Sequence, residues 1–311
     1  MRILGLMFLI ALIVGSGFLY FKRQASIPHG RSGSLQLELE SEPPLHFFVL
    51  GDTGSGDKHQ RAVAEAMEKR CYELPKLDGI FLLGDLFYMV GVDGVEDPQW
   101  ELKIEEPYSL PCLSQAKMYP IFGNHDYRGN TEAFIAYAKK NPRWVMPHRF
   151  YSLNAKNLVK FIAIDTNYPD FCLNSESCVV DFTRHELSAS ARWKIVLAHH
   201  PLSTASLKKY QYTGETFLGY LFRYLACDKA DLWVSGHAHH LEYRKIPTCK
   251  SDLIVSGGGG GQLEDINKED HSMQFGASSF GFTDLEISQD AVKTRFFNTD
   301  LKLLYEHKLQ K

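Results

Sequence analysis

From residue 46 onward, short apolar runs alternate with stretches in which apolar residues recur at helical spacing. The runs are rich in β-branched and aromatic residues and are followed by turn residues, a pattern typical of strands. These predicted strands are residues 46–50, 79–83, 118–122, 158–164, 193–198, 231–235 and 253–256. Helical patterns lie between several of them, at residues 58–70, 131–140 and 215–226. The alternation predicts an α/β fold in which helices pack on a sheet.

The C-terminal part of the chain has a different pattern. Residues 280–287, 291–297 and 303–309 form three successive strand-like segments that are joined by short turns. Together with the alternating segments, they predict a sandwich that contains mixed sheets. The sequence has no internal repeat.

The N-terminal residues 3–21 form an apolar run of nineteen residues without a charge. A run of this length is long enough to cross a bilayer. A cleaved signal peptide is the alternative, because small residues at 15–17 follow the apolar stretch, but no A-x-A site is present. We therefore predict an anchor or a signal peptide at residues 1–23 and favour the anchor. Residues 24–45, rich in Pro, Gly, Ser and charge, are predicted to be a tether, and residues 46–311 to be one domain.

Charge and cysteine content narrow the functional class and the compartment. The chain has 34 basic and 37 acidic residues and no run of five basic residues, so it lacks the electrostatic footprint of a nucleic-acid binder. The six cysteines show no C-x2-C spacing, and Cys172 and Cys178 bracket a short polar loop that a disulfide could close. This pattern favours an exported domain on an extracytoplasmic, lumenal or periplasmic face. Lys22, Arg23 and Arg31, which follow the apolar run, favour the opposite, cytoplasmic side.

Five of the predicted strands end in residues that can bind metals. They are followed in turn by Gly51-Asp52-Thr53-Gly54, Gly84-Asp85-Leu86-Phe87-Tyr88, Gly123-Asn124-His125-Asp126, His199-His200-Pro201 and Gly236-His237-Ala238-His239-His240. In open α/β sheets, ligand sites form beyond the carboxyl ends of the strands, so residues far apart in sequence converge there. The residues expected to face a common centre are Asp52, Asp85, Asn124, His199, His237 and His239.

This set of donors suits two transition-metal ions. Carboxylates, an amide and imidazoles together favour divalent or trivalent transition metals, whereas an all-oxygen set would favour magnesium or calcium. The donors are too many for one ion, and two ions that share a carboxylate are a recurring arrangement for phosphate-ester hydrolysis. A dinucleotide fingerprint, a P-loop and a G-x-S-x-G motif are absent from the sequence.

The motifs GDTG, GDLFY, GNHD, AHHP and GHAHHLEY resemble those of the calcineurin-like metallophosphoesterases, and among them the purple acid phosphatases of the small tartrate-resistant type. The resemblance covers most of the chain beyond the tether, including the C-terminal segment FGFTDLEI. It implies the four-layer α-β-β-α sandwich with mixed sheets of that family. Gly54 stands where general metallophosphoesterases have the histidine of Asp-x-His, and Tyr88 stands where purple acid phosphatases have a tyrosinate.

The resemblance also implies a role for each motif residue. A ferric ion would be bound by Asp52, Tyr88 and His239, a divalent iron, zinc or manganese ion by Asn124, His199 and His237, and both ions by Asp85. His125 and Asn124 would contact the phosphate, and His125 would protonate the leaving group while Asp126 orients it. The implied reaction is hydrolysis of a phosphate monoester by attack of a metal-bound hydroxide, with an acidic pH optimum.

One part of the family pattern is missing from this chain. The family has a second histidine several residues beyond the His-x-Pro segment, but the stretch LSTASLKK contains none. Lys208 lies near the expected position, and His200 is the alternative substrate contact. The expected substrate is a phosphorylated small molecule or a phosphoprotein. Two other functions stay open, namely a phosphodiesterase or nucleotidase on the same core and a non-catalytic scaffold protein that resembles purple acid phosphatases.

Overall fold

The computed structural model describes residues 35–167, 179–208 and 217–311. The predicted anchor, much of the tether, and the proposed Cys172 and Cys178 pair lie outside these residues. Within the part that is described, no helix is long and apolar enough to cross a membrane.

The described residues form two mixed β-sheets. The strands are β1 (Gln36–Glu38), β2 (Leu45–Leu50), β3 (Gly79–Leu82), β4 (Met118–Pro120), β5 (Tyr151–Ala155), β6 (Val159–Ala163), β7 (Trp193–Ala198), β8 (Leu232–Ser235), β9 (Leu241–Arg244), β10 (Asp252–Ser256), β11 (Met273–Ala277), β12 (Gly281–Ile287), β13 (Ala291–Asn298) and β14 (Leu303–Gln310). The eight-stranded sheet has the order β1-β5-β6-β7-β8-β10-β9-β11, and the six-stranded sheet has the order β14-β13-β12-β2-β3-β4. Strands β2, β3 and β4 are parallel, as are β6, β7, β8 and β10.

Helices flank the sheets and connect their strands. They are α1 (Lys58–Tyr72), α2 (Glu106–Tyr108), α3 (Thr131–Ala136), α4 (Val179–Ser188) and α5 (Phe217–Ala226), with a π-helical turn at Glu101–Glu105 and 3₁₀ turns at Leu113–Gln115, Asp126–Arg128 and Tyr137–Lys139. Helix α1 begins after Asp57, whose carboxylate accepts hydrogen bonds from the backbone N–H groups of His59 and Gln60 at 2.8 and 3.3 Å. Near its other end, Arg70 donates two hydrogen bonds to the buried Asp284 of β12, which fixes α1 against the six-stranded sheet.

Side chains of strand β6 show how the layers are built. Phe161 packs against Phe47 and Phe81 of the other sheet, with ring centroids 4.8 and 4.6 Å away, and so belongs to the core between the sheets. Its neighbour Ile162 joins a second apolar cluster that includes Leu187 of α4. Because side chains alternate along a strand, the eight-stranded sheet has one face on the central core and the other on helices. The predicted α/β sandwich with mixed sheets is confirmed.

Each predicted strand is present, with its ends displaced by no more than two residues. The predicted helix at 131–140 is shorter, because α3 is followed by a 3₁₀ turn. Strands β1, β5, β9 and β11 and helices α2 and α4 were not expected. Strand β1 lies within the predicted tether and pairs in parallel with β5, so the sheet begins before residue 46 and the end of that tether belongs to the fold.

Two disulfides connect segments of the described chain. Cys71 on α1 is bonded to Cys112, and Cys227 is bonded to Cys249. Disulfides persist in oxidising compartments, which agrees with the expectation of an extracellular or lumenal domain.

Candidate metal centre

The carboxyl ends of five parallel strands bring most of the predicted ligands to one place. Asp52, Asp85 and Asn124 follow β2, β3 and β4 of the six-stranded sheet, whereas His199 and His237 follow β7 and β8 of the other sheet. Donor atoms of Asp52, Asp85 and His199 lie within 4.8 Å of one another. The candidate centre therefore lies where the ends of the two sheets meet.

The first group of donors consists of Asp52, Tyr88 and His239. The Tyr88 hydroxyl oxygen is 3.2 Å from Asp52 Oδ1 and 2.9 Å from His239 Nε2. His239 Nδ1 donates to the backbone carbonyl of Gln262 at 2.7 Å. This bond fixes the ring so that Nε2 faces the other two donors, an arrangement common for metal-binding histidines.

The second group consists of Asn124, His199 and His237. His199 Nε2 lies 3.2 Å from Asn124 Oδ1 and 3.0 Å from His237 Nδ1. His199 Nδ1 donates to the backbone carbonyl of Leu83 at 2.7 Å, which again leaves Nε2 directed at the centre.

Asp85 lies between the two groups. Its Oδ1 is 3.6 Å from His199 Nε2, and its carboxylate shares a donor cluster with Asp52 of the first group. Gly123 permits this placement, because a Cβ at that position would lie 2.1 Å from the backbone nitrogen of Asp85. The position of Asp85 matches that of a carboxylate shared by two ions.

Three of the candidate ligands have a left-handed backbone conformation. The φ angles of Asp52, Asp85 and His237 are 59°, 53° and 66°. Such conformations cost of order 1–3 kcal/mol each for residues other than glycine, and they concentrate at functional sites. The surrounding chain therefore holds these side chains in place at the expense of stability.

The charges of the centre are suited to cations. Asp52 and Asp85 are 0% and 1% exposed, and across residues 35–167, 179–208 and 217–311 their ion pairs are with histidines only. Burial raises the pKa of the Asp85 carboxyl, to which the charge of Asp52 also contributes. Burial and then the same two carboxylates raise the pKa of the Tyr88 hydroxyl well above its usual range. A metal cation would compensate this negative charge and reverse these shifts.

His125 lines a cleft that opens onto the centre. The cleft has a volume of about 720 Å³, and Tyr88, His125 and His239 line its inner end. His125 Nδ1 is 3.1 Å from the carbonyl oxygen of Met89, so it donates to that oxygen. Its Nε2 lies 4.0 Å from Asp85 Oδ2 and is available to a ligand.

Asp126 makes different contacts from the one that was predicted. Its buried carboxylate accepts hydrogen bonds from four backbone N–H groups, those of Asp85, Leu86, Phe87 and Gly123. The carbonyl of Met89, not Asp126, contacts the His125 ring. Asp126 therefore fixes the loop that carries Asp85, and the expectation that it orients His125 is wrong.

Three of the four predicted substrate contacts, Asn124, His200 and Lys208, are not among the residues that line this cleft. His200 Nδ1 is 2.8 Å from Thr166 Oγ1, and a donor nitrogen of His200 lies within 4.8 Å of those of His199 and His237. Burial, and then the neighbouring histidines, hold the pKa of His200 well below its usual range. His200 is thus placed beside the second donor group. Lys208 is exposed and lies 3.3 Å from Glu264 Oε1.

Lys103 is a buried residue near the centre. No motif in the sequence predicts a role for it. It lies on the π-helical turn and is 6% exposed. Its Nζ donates to the Tyr88 carbonyl at 2.5 Å and to Gln99 Oε1 at 2.7 Å. Lys103 therefore fixes the backbone of the residue that carries the candidate phenolate ligand.

We expect Lys103→Met to lower the free energy of unfolding by about 1–3 kcal/mol, because the Tyr88 carbonyl loses its buried donor. Urea denaturation of the metal-free protein would measure the change. The exposed Lys302→Met is the matched control, and equal stability of the two variants would contradict this role for Lys103.

Two mixed sheets with carboxylate, phenol, amide and imidazole donors at the strand ends define a protein of the metallophosphoesterase class. The sequence profile of the calcineurin-like phosphoesterases matches residues 45–241, a range that contains all the candidate ligands. The chain belongs to the calcineurin-like phosphoesterase family, and the resemblance seen in the motifs is confirmed.

Purple acid phosphatases are similar to this chain over most of its length. Purple acid phosphatase 7 of Arabidopsis thaliana is 28% identical over 298 residues, which cover 88% of each chain. Tartrate-resistant acid phosphatase type 5 of Homo sapiens is 28% identical over 303 residues, which cover 86% of this chain and 91% of the relative.

Solved structures share the fold. GAP50, described as the anchor in the inner membrane complex of Plasmodium, has a TM-score of 0.74 and 25% identity over 86% of this chain and 88% of its own. Purple acid phosphatase PPD1 from yellow lupin has a TM-score of 0.66 and 17% identity over 86% of this chain and 53% of its own.

Proposed function

We propose that the protein is a metal-dependent acid phosphatase that hydrolyses phosphate monoesters. The observation that carries the proposal is the convergence of donors from both sheets on buried Asp85. The similarity to purple acid phosphatases from a plant and a mammal supports it.

We assign one metal ion to each of the two donor groups described above. Asp52, Tyr88 and His239 would hold a ferric ion, Asn124, His199 and His237 a divalent iron, zinc or manganese ion, and Asp85 would be shared. Bound ions of this kind supply a Lewis acid for the phosphoryl oxygens and lower the pKa of water. The hard phenolate of Tyr88 favours ferric iron, and the imidazoles of the second group suit iron or zinc.

His125 is proposed to hold the proton that the leaving group takes. Its Nδ1 is occupied by the Met89 carbonyl, so Nε2 is the atom that would carry this proton into the cleft. As the oxygen of water bonds to phosphorus and the ester P–O bond breaks, His125 would protonate the departing alcohol. The amide of Asn124 would contact the phosphate beside it.

Phosphate release from purified residues 24–311 tests the proposal. We expect hydrolysis of a monoester such as phenyl phosphate between pH 4 and 8 after loading with iron and zinc, and much slower hydrolysis of bis(p-nitrophenyl) phosphate. If the diester is the better substrate, the phosphodiesterase alternative is correct.

The Tyr88 assignment has a spectroscopic test. Tyr88→Phe should remove a visible tyrosinate-to-iron absorption band, because only a phenolate bound to ferric iron gives this transition. The exposed Tyr72→Phe is the control and should keep the colour. A fully loaded wild-type protein without colour would exclude the ferric ion at this position.

The second candidate function is a non-catalytic scaffold. The similarity to GAP50, whose structure is described as that of an anchor, favours it. The complete set of candidate ligands favours the enzyme. Absence of phosphate release from metal-loaded protein, with both ions bound, would support the scaffold.

We also propose that the domain is exported and that residues 1–23 attach it to a membrane. The two disulfides support the oxidising compartment. Membrane extraction with carbonate would test the attachment, since a cleaved signal peptide would leave the domain in the soluble fraction.

A further inference from the structure

Strand β14 forms a long edge of the six-stranded sheet. It pairs with β13 on one side, and it extends over eight residues. Within the part of the chain that the structure describes, no residue outside β13 forms a hydrogen bond with the backbone of β14. Alternate N–H and C=O groups of an edge strand point away from its neighbour and can pair with another strand.

The other three edges of the two described sheets are less suited to pairing. Strands β1 and β4 have three residues each, and β4 is covered by Trp144, which bridges to Met118. The pairing of β11 with β9 is interrupted by an irregularity between Met273 and Phe275. Strand β14 contains no proline, and its register with β13 shifts only at Phe297, near one end. Short, covered or irregular edges resist pairing with another chain, so β14 is the edge that favours it.

One face of β14 packs on the eight-stranded sheet. The Tyr305 ring stacks on that of Phe275 with centroids 4.9 Å apart, and the His307 ring lies 4.6 Å from the ring of Tyr243. Leu309 lies on the same face, because side chains alternate along a strand. Tyr305, His307 and Leu309 are only half-buried, so a further strand beside β14 would cover more of their apolar surface.

The opposite face of β14 carries two exposed charges of opposite sign, Glu306 and Lys308. Glu306 lies opposite Arg295 of β13 and accepts a hydrogen bond from it at 2.6 Å. Lys308 lies opposite Lys293 of β13, which is a like charge. A carboxylate on the open side of β14 would therefore give Lys308 the cross-strand partner that β13 does not provide.

A second copy of β14 provides this carboxylate in one particular register. When two antiparallel β14 strands are related by a two-fold axis, the axis at His307 places Glu306 of each copy opposite Lys308 of the other. An axis at Glu306 or at Lys308 would instead place like charges opposite each other. The axis at His307 also places Tyr305 opposite Leu309, and both kinds of cross-strand pair stabilise a sheet.

We propose that two copies of the chain associate through β14 in the register centred at His307, so that their six-stranded sheets form one continuous sheet. Burial, and then the charge of Lys245, lower the pKa of His307, so the two rings that meet at the axis are neutral at pH 7. A single pair of strands buries less surface than the interface of an obligate dimer, so we expect a dissociation constant in the micromolar range.

Charge reversal in the full chain, purified in detergent micelles, tests the proposal by sedimentation equilibrium. Lys308→Glu should raise the dissociation constant of the dimer at least about tenfold, because two carboxylates then oppose each other in each of the two pairs. Within its own chain this substitution places a carboxylate opposite Lys293, so thermal unfolding should show no loss of stability. Lys268→Glu, at an exposed position on the loop before β11, is the control and should keep the wild-type dissociation constant.

A mixture of two variants tests the register itself. Glu306→Lys should weaken self-association as Lys308→Glu does, because two ammonium groups then oppose each other. In a mixed dimer of these two variants, both pairs again join opposite charges, so the mixture should associate with near wild-type affinity.

Three results would overturn the proposal. The first is a wild-type protein that stays monomeric up to about 1 mM, a concentration at which even an association worth about 4 kcal/mol is detected. The second is a Lys308→Glu protein that dimerises as tightly as the wild type, since association would then occur elsewhere in the chain. The third is a mixture of the two variants that stays monomeric, because the register centred at His307 requires the rescue.

Discussion

Asp85→Asn is expected to leave the protein folded but with fewer than two bound ions, and to lower kcat/KM for a phosphate monoester by more than about 100-fold. Residues that only support metal ligands typically cost 10–100-fold when replaced, so a shared ligand should cost more. The substitution removes the negative charge between the two donor groups and keeps the side-chain shape. Elemental analysis together with steady-state kinetics would measure both effects.

Asp78→Asn is the matched control for this experiment. Asp78 is a buried carboxylate that directly precedes β3, whereas Asp85 follows the same strand at its other end. It accepts a hydrogen bond from the His46 N–H at 2.8 Å and lies far along the strand from the candidate ligands. Two bound ions and undiminished hydrolysis in Asp85→Asn would contradict a shared ligand at this position.

Asp126→Asn is expected to lower the free energy of unfolding by about 2–6 kcal/mol. An amide replaces one acceptor oxygen by a donor, so two of the four backbone N–H groups lose their partner, and each buried unsatisfied group costs about 1–3 kcal/mol. Because these groups belong to the loops around Asp85 and Gly123, metal loading should weaken as well. Urea unfolding of the metal-free variant measures the change in the free energy of unfolding without any contribution from metal binding.

The exposed Asp228→Asn provides the comparison, since the side chain of Asp228 is 71% exposed and pairs with Lys250 only at 3.8 Å. A surface pair of this kind contributes little to stability. If Asp126→Asn instead keeps wild-type stability and shifts the pH profile of hydrolysis, Asp126 acts on the His125 side chain after all.

The strands of the core could be predicted, because the apolar pattern that marks each strand lies within the strand itself and does not depend on distant contacts. Strand β9 was not predicted from the sequence, because some of its buried residues are charged. Glu242 is fully buried and accepts hydrogen bonds from Thr204 and from the Ala205 N–H, while Arg244 pairs with it at 2.8 Å. Thr204 and Ala205 belong to a loop distant in sequence, whereas Arg244 lies on β9 itself. The hydropathy of the strand alone therefore does not reveal that it is buried.

The candidate ligands could be predicted for a similar reason. Asp52 and Asp85 lie two residues beyond predicted strands and His199 lies one residue beyond, and the topology of a parallel sheet brings such residues together. The functions of Asp126 and Lys208 depend on the paths of loops, which spacing along the chain does not determine. The backbone carbonyls of Met89 and Gln262, which orient His125 and His239, carry no sequence signal at all.

The position of the centre between the ends of the two sheets couples metal binding to the architecture. Asp52, Asp85 and Asn124 come from one sheet, and His199, His237 and His239 come from the other. Ions held by both sets would cross-link the two sheets, which also contact each other through apolar packing and through hydrogen bonds such as that from Ser256 Oγ to the Val49 carbonyl at 2.8 Å. Part of the metal affinity would then be free energy of sheet association, and a chelator would weaken the contact between the sheets as well as remove the ions.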